Sequence, residues 1–296
     1  DKLRGSLRSS KEGWRERLYL STNPGGIGHA WFKALFIHPW RKHEEGFTRF
    51  IPATYRDNAY LSESYIRYLE GLTGWLGRAW RDGDWDIAAG QYFTNWQHAK
   101  HVVKSEHVPK QFADVWLALD YGFTHYTTVY LMGEDGDGNV YGVDEHAERR
   151  WLPPSHYDAV VAMLGRHGID YIPRCVAGAD VFANKGTSKT IAEQYAELGM
   201  SLTAAQNDRI NGAAKLLQML GDEEQGIEQK IFISEKCPML IECIPSLEHD
   251  PHRPEDVLKV DTDDDGNGGD DPYDGFRYGL MEAGNKATIT ENPFYG

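Results

Sequence analysis

The stretch from 113 to 149 constrains the fold more than any other part of the chain. ADVWLALDYG (113–122) is a short apolar run bounded by a charge at one end and a glycine at the other. Such a run has both faces to bury, which predicts a strand inside a sheet. YTTVYLMG (126–133) and NVYGVDEHAER (139–149) follow, separated by the tip EDGDG, whose glycines supply positive φ. Two β-rich runs around such a tip predict an antiparallel hairpin. Beyond it, apolar runs alternate with amphipathic ones. RCVAGADV (174–181) reads as another buried strand, SLTAA (201–205) as an edge strand and KIFIS (230–234) as a short strand. Helices are predicted over 155–167 with Ser155 as N-cap, over 188–199 from Ser188 to Gly199, over 207–220 and over 271–284. CPMLIECIPSLE (237–248) is amphipathic despite Pro245. An opening hairpin followed by alternating strands and helices predicts a mixed α/β sheet covered on both faces.

The part before this hairpin differs in composition. Residues 1 to about 100 hold seven of the nine tryptophans. RERLYLST (15–22) predicts a strand running into the turn NPGGIG (23–28), HAWFKALFI (29–37) suits a helix or a strand, and 62–81 reads as helical with breaks near Gly71 and Gly74. GDWDIAAGQYF (83–93) is turn-rich. The polar segment QHAKHVVKSEHVPKQ (97–111), with three histidines and Pro109, reads as a connector between two units. A length of 296 residues suits two domains or one large one.

Composition then excludes several function classes. Lys plus Arg is 31 and Asp plus Glu is 45, a formal net charge of −14. A field of that sign repels nucleic acid, so any contact with DNA must run through a local basic patch or bound cations. Three cysteines without a CxxC pair exclude a disulfide framework and a structural zinc site, and suit a reducing compartment. No run approaches 18 apolar residues, which excludes a membrane-spanning helix, and DKLRGSLRSSKEGW lacks the apolar core of a signal peptide.

Candidate chemistry rests on acids. Asp120 ends one apolar strand and Asp180 ends another, 180 − 120 = 60 residues later. Neighbouring strands bring their ends together, so the two carboxylates can share a site. Asp271 and Asp274 stand three apart on one predicted helix face. Each also suits a simpler role: a turn cap for the strand-end acids, a solvated N-terminal acid favoured by the macrodipole for the helix pair. Together they form a hard oxygen set of the kind that holds Mg²⁺ or Mn²⁺, and two such ions can drive phosphodiester hydrolysis. DTDDDG (261–266) matches half of a calcium loop, but Pro272 at position 12 excludes an EF-hand and leaves a solvated acidic loop. The dipeptide Gly-Lys is absent, so there is no P-loop and no ATP hydrolysis is expected. His29, His38, His98, His101 and His107 lack the tight spacing of a zinc site. Lys185 and Lys189, in NKGTSKT after Asp180, are candidate DNA-phosphate contacts, as is Arg209; Lys100, Lys104 and Lys110 in the connector are the alternative.

In order along the chain, five segments carry a resemblance: LSTNPGGIGHAWFKALFI (20–37), FIPATYRDNAYLSESYIRYLEGL (50–72), RAWRDGDWDIAAGQYF (78–93), LALDYGFTHYTTVYL (117–131) and DDPYDGFRYGLM (270–281). Their order and spacing resemble the large terminase subunit of tailed bacteriophages. The resemblance implies an α/β chain: residues 1–97 as the C-terminal portion of a packaging ATPase domain, 98–112 as connector, and 113–296 as an RNase H-like (retroviral-integrase-like) nuclease domain. The Walker motifs would lie before residue 1, which makes the chain a piece of a longer protein. Ser21-Thr22-Asn23 resembles the coupling motif, with Thr22 and Asn23 reporting on nucleotide. Asp120, Asp180 and Asp274 map to the nuclease acids, with Asp271 as a fourth ligand of two Mg²⁺ or Mn²⁺ ions. The implied partners are double-stranded DNA, the portal protein and the small terminase subunit, with a ring oligomer only in the assembled motor. The implied place is the bacterial host cytoplasm, with no membrane. A resolvase- or transposase-like RNase H nuclease and a non-catalytic acidic interaction module are the competing readings.

Overall fold

The computed structural model describes residues 13, 17–24, 29–71, 78–86, 90–184, 189–223, 225–250, 252–253, 255–262 and 268–284. The chain divides into two compact units, 1–85 and 86–296.

In the first unit, helix α1 spans 29–41 as an α-helical turn His29–Phe32, a π-helical turn Lys33–Ile37 and an α-helical turn His38–Arg41. The ambiguous run 29–37 is therefore helical. Aromatic rings build the packing here: Phe32 stacks on Trp85 at 4.8 Å, and Phe50 meets the edges of Trp40 and Trp85 at 5.3 and 6.2 Å. Helix α2 (Glu63–Glu70) starts where the Ser62 hydroxyl accepts from the Tyr65 N–H and stops at Gly71, as the glycine suggests. Residues 78–80 are helical again; Gly74 lies outside the described residues. The strand expected over 15–22 is not formed by its described residues, 17–22, and no strand among the described residues of this unit runs beside them.

The second unit is built on a seven-stranded mixed sheet. Its strands are β1 (Val102–Val103), β2 (Asp114–Asp120), β3 (Thr127–Glu134), β4 (Val140–Glu148), β5 (Cys175–Ala177), β6 (Leu202–Ala204) and β7 (Ile231–Ser234), in the order β1-β7-β4-β3-β2-β5-β6. The meander β2-β3-β4 is antiparallel and the outer pairs are parallel. The hairpin forms as expected. Asp135 Oδ1 accepts from the backbone N–H groups of Asp137 and Asn139, and Gly138 takes φ +76°. Residues 98–112 do not run free between units. Helix α3 (His98–His101) leads into β1, which lies parallel to β7. Two paired residues are too short a ladder for any sequence period to reveal.

The helices are α4 (Pro153–Arg166), α5 (Ile191–Glu197), α6 (Arg209–Leu220), α7 (Pro238–Cys243) and α8 (Asp271–Glu282). Alternation along the strands sends successive side chains to opposite faces. Trp116 and Ala118 of β2 and Tyr130 and Met132 of β3 pack with Leu216 of α6, Leu240 of α7 and Phe276 of α8. Leu117, Leu119, Val129 and Leu131 turn the other way, to Val160 and Met163 of α4 and Tyr195 of α5.

Two helix starts differ from expectation. α4 begins at Pro153 with Leu152 as N-cap, because the proline ring presets the first helical φ; Ser155 is inside the helix. α5 is capped by a reciprocal Thr190–Glu193 pair, while Ser188 lies outside the described residues.

Candidate active site

Period-two alternation along β2 puts Asp120 on the same face as Trp116 and Ala118, the face covered by α8. Helix α8 comes close because two glycines line its sheet-facing side. A β-carbon on Gly279 would stand 2.7 Å from Ala118 Cβ, and one on Gly275 would stand 3.3 Å from Asp120 Cβ. The Trp116 indole N–H, at 2.9 Å from the Gly279 carbonyl, ties the helix down. This approach delivers Asp271 and Asp274 to the end of β2.

Asp180 reaches the same place by a different element. β5 pairs with β2 only as far as Ala177 opposite Leu119, and the chain then turns into a 3₁₀ segment, Ala179–Phe182. Asp180 is therefore on this turn and not on the strand. A β-carbon on Gly178 would stand 3.1 Å from both Asp180 Oδ1 and the Tyr278 ring of α8, so the turn folds its carboxylate toward the helix.

The electrostatics agree with that convergence. Burial, then the charges of Asp274, Asp180 and Asp271, push Asp120 up to about 8. Burial and Asp274 push Asp270 up to about 6. Burial also raises Asp271, against the pull of the His125 ring, whose Nδ1 stands 3.7 Å from Asp271 Oδ2, and of the Tyr126 backbone N–H. The structure thus brings the four sequence-derived acids to one end of the sheet. Among the described residues, however, no three carboxylate, imidazole or thiolate groups close into a ready-made metal shell.

Cations gather on one acid of the cluster. Asp274 is buried and carries three partners: Arg209 Nη1 at 3.2 Å, Lys259 Nζ at 3.3 Å and Arg277 Nη2 at 3.1 Å. Arg277 is fully buried, and its Nη2 also donates to Asn207 Oδ1 at 3.3 Å. Arg209 further contacts Asp256 Oδ1 at 3.3 Å and the Val257 carbonyl at 2.9 Å. Asp270 Oδ2 and Asp271 Oδ2 are buried without a hydrogen bond.

The cationic candidates fare differently. Arg209 is committed to the acids and faces inward. Lys189 pairs with Glu197, and Lys185 lies outside the described residues. Thr22 and Asn23 are exposed and line a cleft of the first unit with Phe32, Trp40 and Trp85. Arg277 could have been found from its i,i+3 spacing to Asp274. Lys259 and His125 stand in loops with no pattern to mark them.

A family model described as phage terminase large subunit matches residues 1–81. No curated protein matches the sequence. Among solved structures, the large terminase of a thermophilic bacteriophage in complex with ATP-gamma-S is 19% identical at a TM-score of 0.50, covering 92% of this chain and 64% of that one. The same phage protein with ADP is 20% identical at a TM-score of 0.50, covering 94% and 65%. The P22 large terminase nuclease domain is 19% identical at a TM-score of 0.51, covering 65% of this chain and 92% of that one. This chain therefore spans less than two thirds of the thermophilic phage's large terminase. The second unit has the expected RNase H-like mixed sheet with flanking helices. Among the described residues no helix is long and apolar enough to cross a membrane.

Proposed function

We propose that the chain is part of a phage terminase large subunit, the family whose model matches residues 1–81, and that its second unit is a divalent-cation-dependent endonuclease that cuts double-stranded DNA during genome packaging. The observation that carries this reading is the meeting of Asp120, Asp180, Asp271 and Asp274 at one end of the sheet, where burial first and then the charges of Asp274, Asp180 and Asp271 push Asp120 up to about 8.

The donor set fits a hard cation. Its ligand atoms are all carboxylate oxygens, the chemistry of Mg²⁺ or Mn²⁺ and not of a thiolate or imidazole metal. Six carboxylates (Asp120, Asp180, Asp256, Asp270, Asp271, Asp274) stand around three cations (Arg209, Lys259, Arg277), so the acids outnumber the cations here. Two of the buried carboxylate oxygens have no hydrogen bond to satisfy them. Asp120, Asp180 and Asp274 would hold the ions, with Asp271 as a fourth ligand. Ions held there would supply an activated water and charge stabilisation of the leaving oxygen in a phosphodiester displacement.

The chain's own groups do the positioning. Asp120 is fixed by the β2 ladder and Asp274 by Arg277 beneath it. Lys259 is largely exposed, with a long flexible stem, so its ammonium can leave Asp274 Oδ2 for a phosphate oxygen. Thr22 and Asn23 we assign to nucleotide sensing in the longer protein, whose ATPase, portal protein, small subunit, ring assembly and host-cytoplasm setting belong to the same reading.

The test is supercoiled plasmid incubated with the intact chain in Mn²⁺, in Mg²⁺ and in EDTA. Nicked or linear product with either ion and none in EDTA supports the reading. Plasmid left supercoiled in all three contradicts it.

A further inference from the structure

An acidic cluster in a chain of net charge −14 repels the phosphates it must cut. Some local group has to hold the DNA backbone against that field. Lys189, just before α5, and Arg209 of α6 are engaged with carboxylates, so they offer little in this state.

Arg149 and Arg150 are placed differently. They follow the last residue of β4, Glu148, which pairs with Thr127 at the start of β3. One position further along β3, Thr128 pairs with Asp120. The two arginines thus stand at the same end of the sheet as the acids. Neither forms an ion pair among the described residues, and Arg150 is exposed. Arg149 lies over the Tyr126 ring, with Cζ 5.2 Å from its centroid. Tyr126 follows His125, whose ring stands 3.7 Å from Asp271.

The segment that joins them is preformed. The Thr127 hydroxyl donates to the Gly122 carbonyl at 2.6 Å and accepts from the Gly122 N–H at 3.2 Å. A β-carbon on Gly122 would stand 2.9 Å from the His125 and Tyr126 carbonyls, so the loop closes on itself as only glycine permits. Arg150 takes a left-handed φ of +62°, and its backbone N–H donates to the Phe123 carbonyl at 2.8 Å. A non-glycine residue in that region costs stability, which is a poor use of an ordinary solvated side chain. The left-handed backbone at Arg150 ties the end of β4 to the 121–126 loop and sets two consecutive arginines there, Arg149 over Tyr126 and Arg150 exposed, with Phe123 also exposed on that loop.

We propose that Arg149 and Arg150, at the end of β4, bind the phosphodiester backbone of the DNA strand presented to the acidic cluster. The inference rests on the nuclease reading for its substrate, while its own content is where the backbone is gripped. Arginine suits this role because its planar fork meets phosphate oxygens in two parallel hydrogen bonds.

The test is fluorescence anisotropy of a labelled DNA duplex titrated with the intact chain across a range of salt, in Ca²⁺ so that binding is read without cutting. Arg149→Ala/Arg150→Gly should reduce the salt slope by about 2 and weaken low-salt affinity roughly tenfold, one phosphate contact per arginine. Glycine at 150 accepts the positive φ, so the variant should keep its fold, checked by circular dichroism. Arg149→Lys/Arg150→Lys keeps both charges and should retain the slope. A folded Ala/Gly variant with unchanged slope and affinity overturns the proposal, as does an intact chain that binds no DNA. Binding that depends on the two arginines in a chain that never cuts plasmid leaves this proposal standing and removes the nuclease reading instead.

Discussion

Gly275 of α8 lies directly over Thr128 of β3: a β-carbon at 275 would stand 2.3 Å from Thr128 Oγ1. Thr128 is buried and pairs with Asp120 across β2 and β3, so this contact sets how closely the helical acids approach the strand acid. Neither partner can give way cheaply, since one is backbone and the other a β-branched side chain in the sheet. Gly275→Ala should lower unfolding free energy by about 1–3 kcal/mol, the range for overpacking, and reduce DNA cutting more than the stability loss explains. Urea denaturation of the variant at wild-type stability would show that α8 is not held at contact distance.

The acidic cluster makes a stability prediction of its own. Burial and the charges of Asp274, Asp180 and Asp271 hold Asp120 at about 8 in the folded chain, against about 3.9 when unfolded. A raised folded value means that the contribution to stability is intact below pH 4 and is lost as pH rises through 8. Asp270, pushed up to about 6, adds to the same slope. Between pH 5 and pH 9, in chelator, wild type should therefore lose more stability than Asp120→Asn, which has no charge to form. Mn²⁺ at pH 8 should raise the melting temperature of wild type and leave that of Asp120→Asn nearly unmoved. Identical pH profiles for the two proteins would mean that Asp120 does not feel its neighbours.

Arg277 supports the site from below. It is fully buried, bonded to Asp274 and Asn207, and its guanidinium lies 4.8 Å from the Tyr278 ring centroid. Arg277→Met keeps the volume and removes the charge, leaving Asp274 with Arg209 and Lys259. Removing one partner of a buried pair costs about 3–5 kcal/mol, and the two remaining cations should hold the loss near the lower figure. A loss under about 1 kcal/mol in chemical denaturation would place Asp274 in a more solvated setting than its burial implies.

The sequence carried some of this and hid the rest for physical reasons. Asp120 was legible because an apolar run of five residues, Val115 to Leu119, stops at it. Asp180 was legible as an acid after an apolar run, but not its element. CVAGADV reads as one strand, and only the packing of Gly178 against Tyr278 and Asp180 turns the chain out of the ladder. Arg209 invited a DNA-facing role because it is basic and opens a helix. Its direction is fixed by Asp208, which caps α6, and by the acids of α8, which no local pattern encodes. Lys259 lies outside any periodic segment and the Arg149–Arg150 pair straddles the end of the run 139–149, so burial, register and backbone φ were needed to find them.

The most direct measurement is the rate of plasmid cutting by well-folded Asp120→Asn beside wild type in Mn²⁺, with circular dichroism on the same preparations. The substitution keeps the shape of the side chain and removes one anionic oxygen from the converging set. The account predicts that wild type cuts and that Asp120→Asn is slower by about 10²-fold or more, a loss of roughly 3 kcal/mol in transition-state stabilisation. Nicking by the folded variant at the wild-type rate would contradict it.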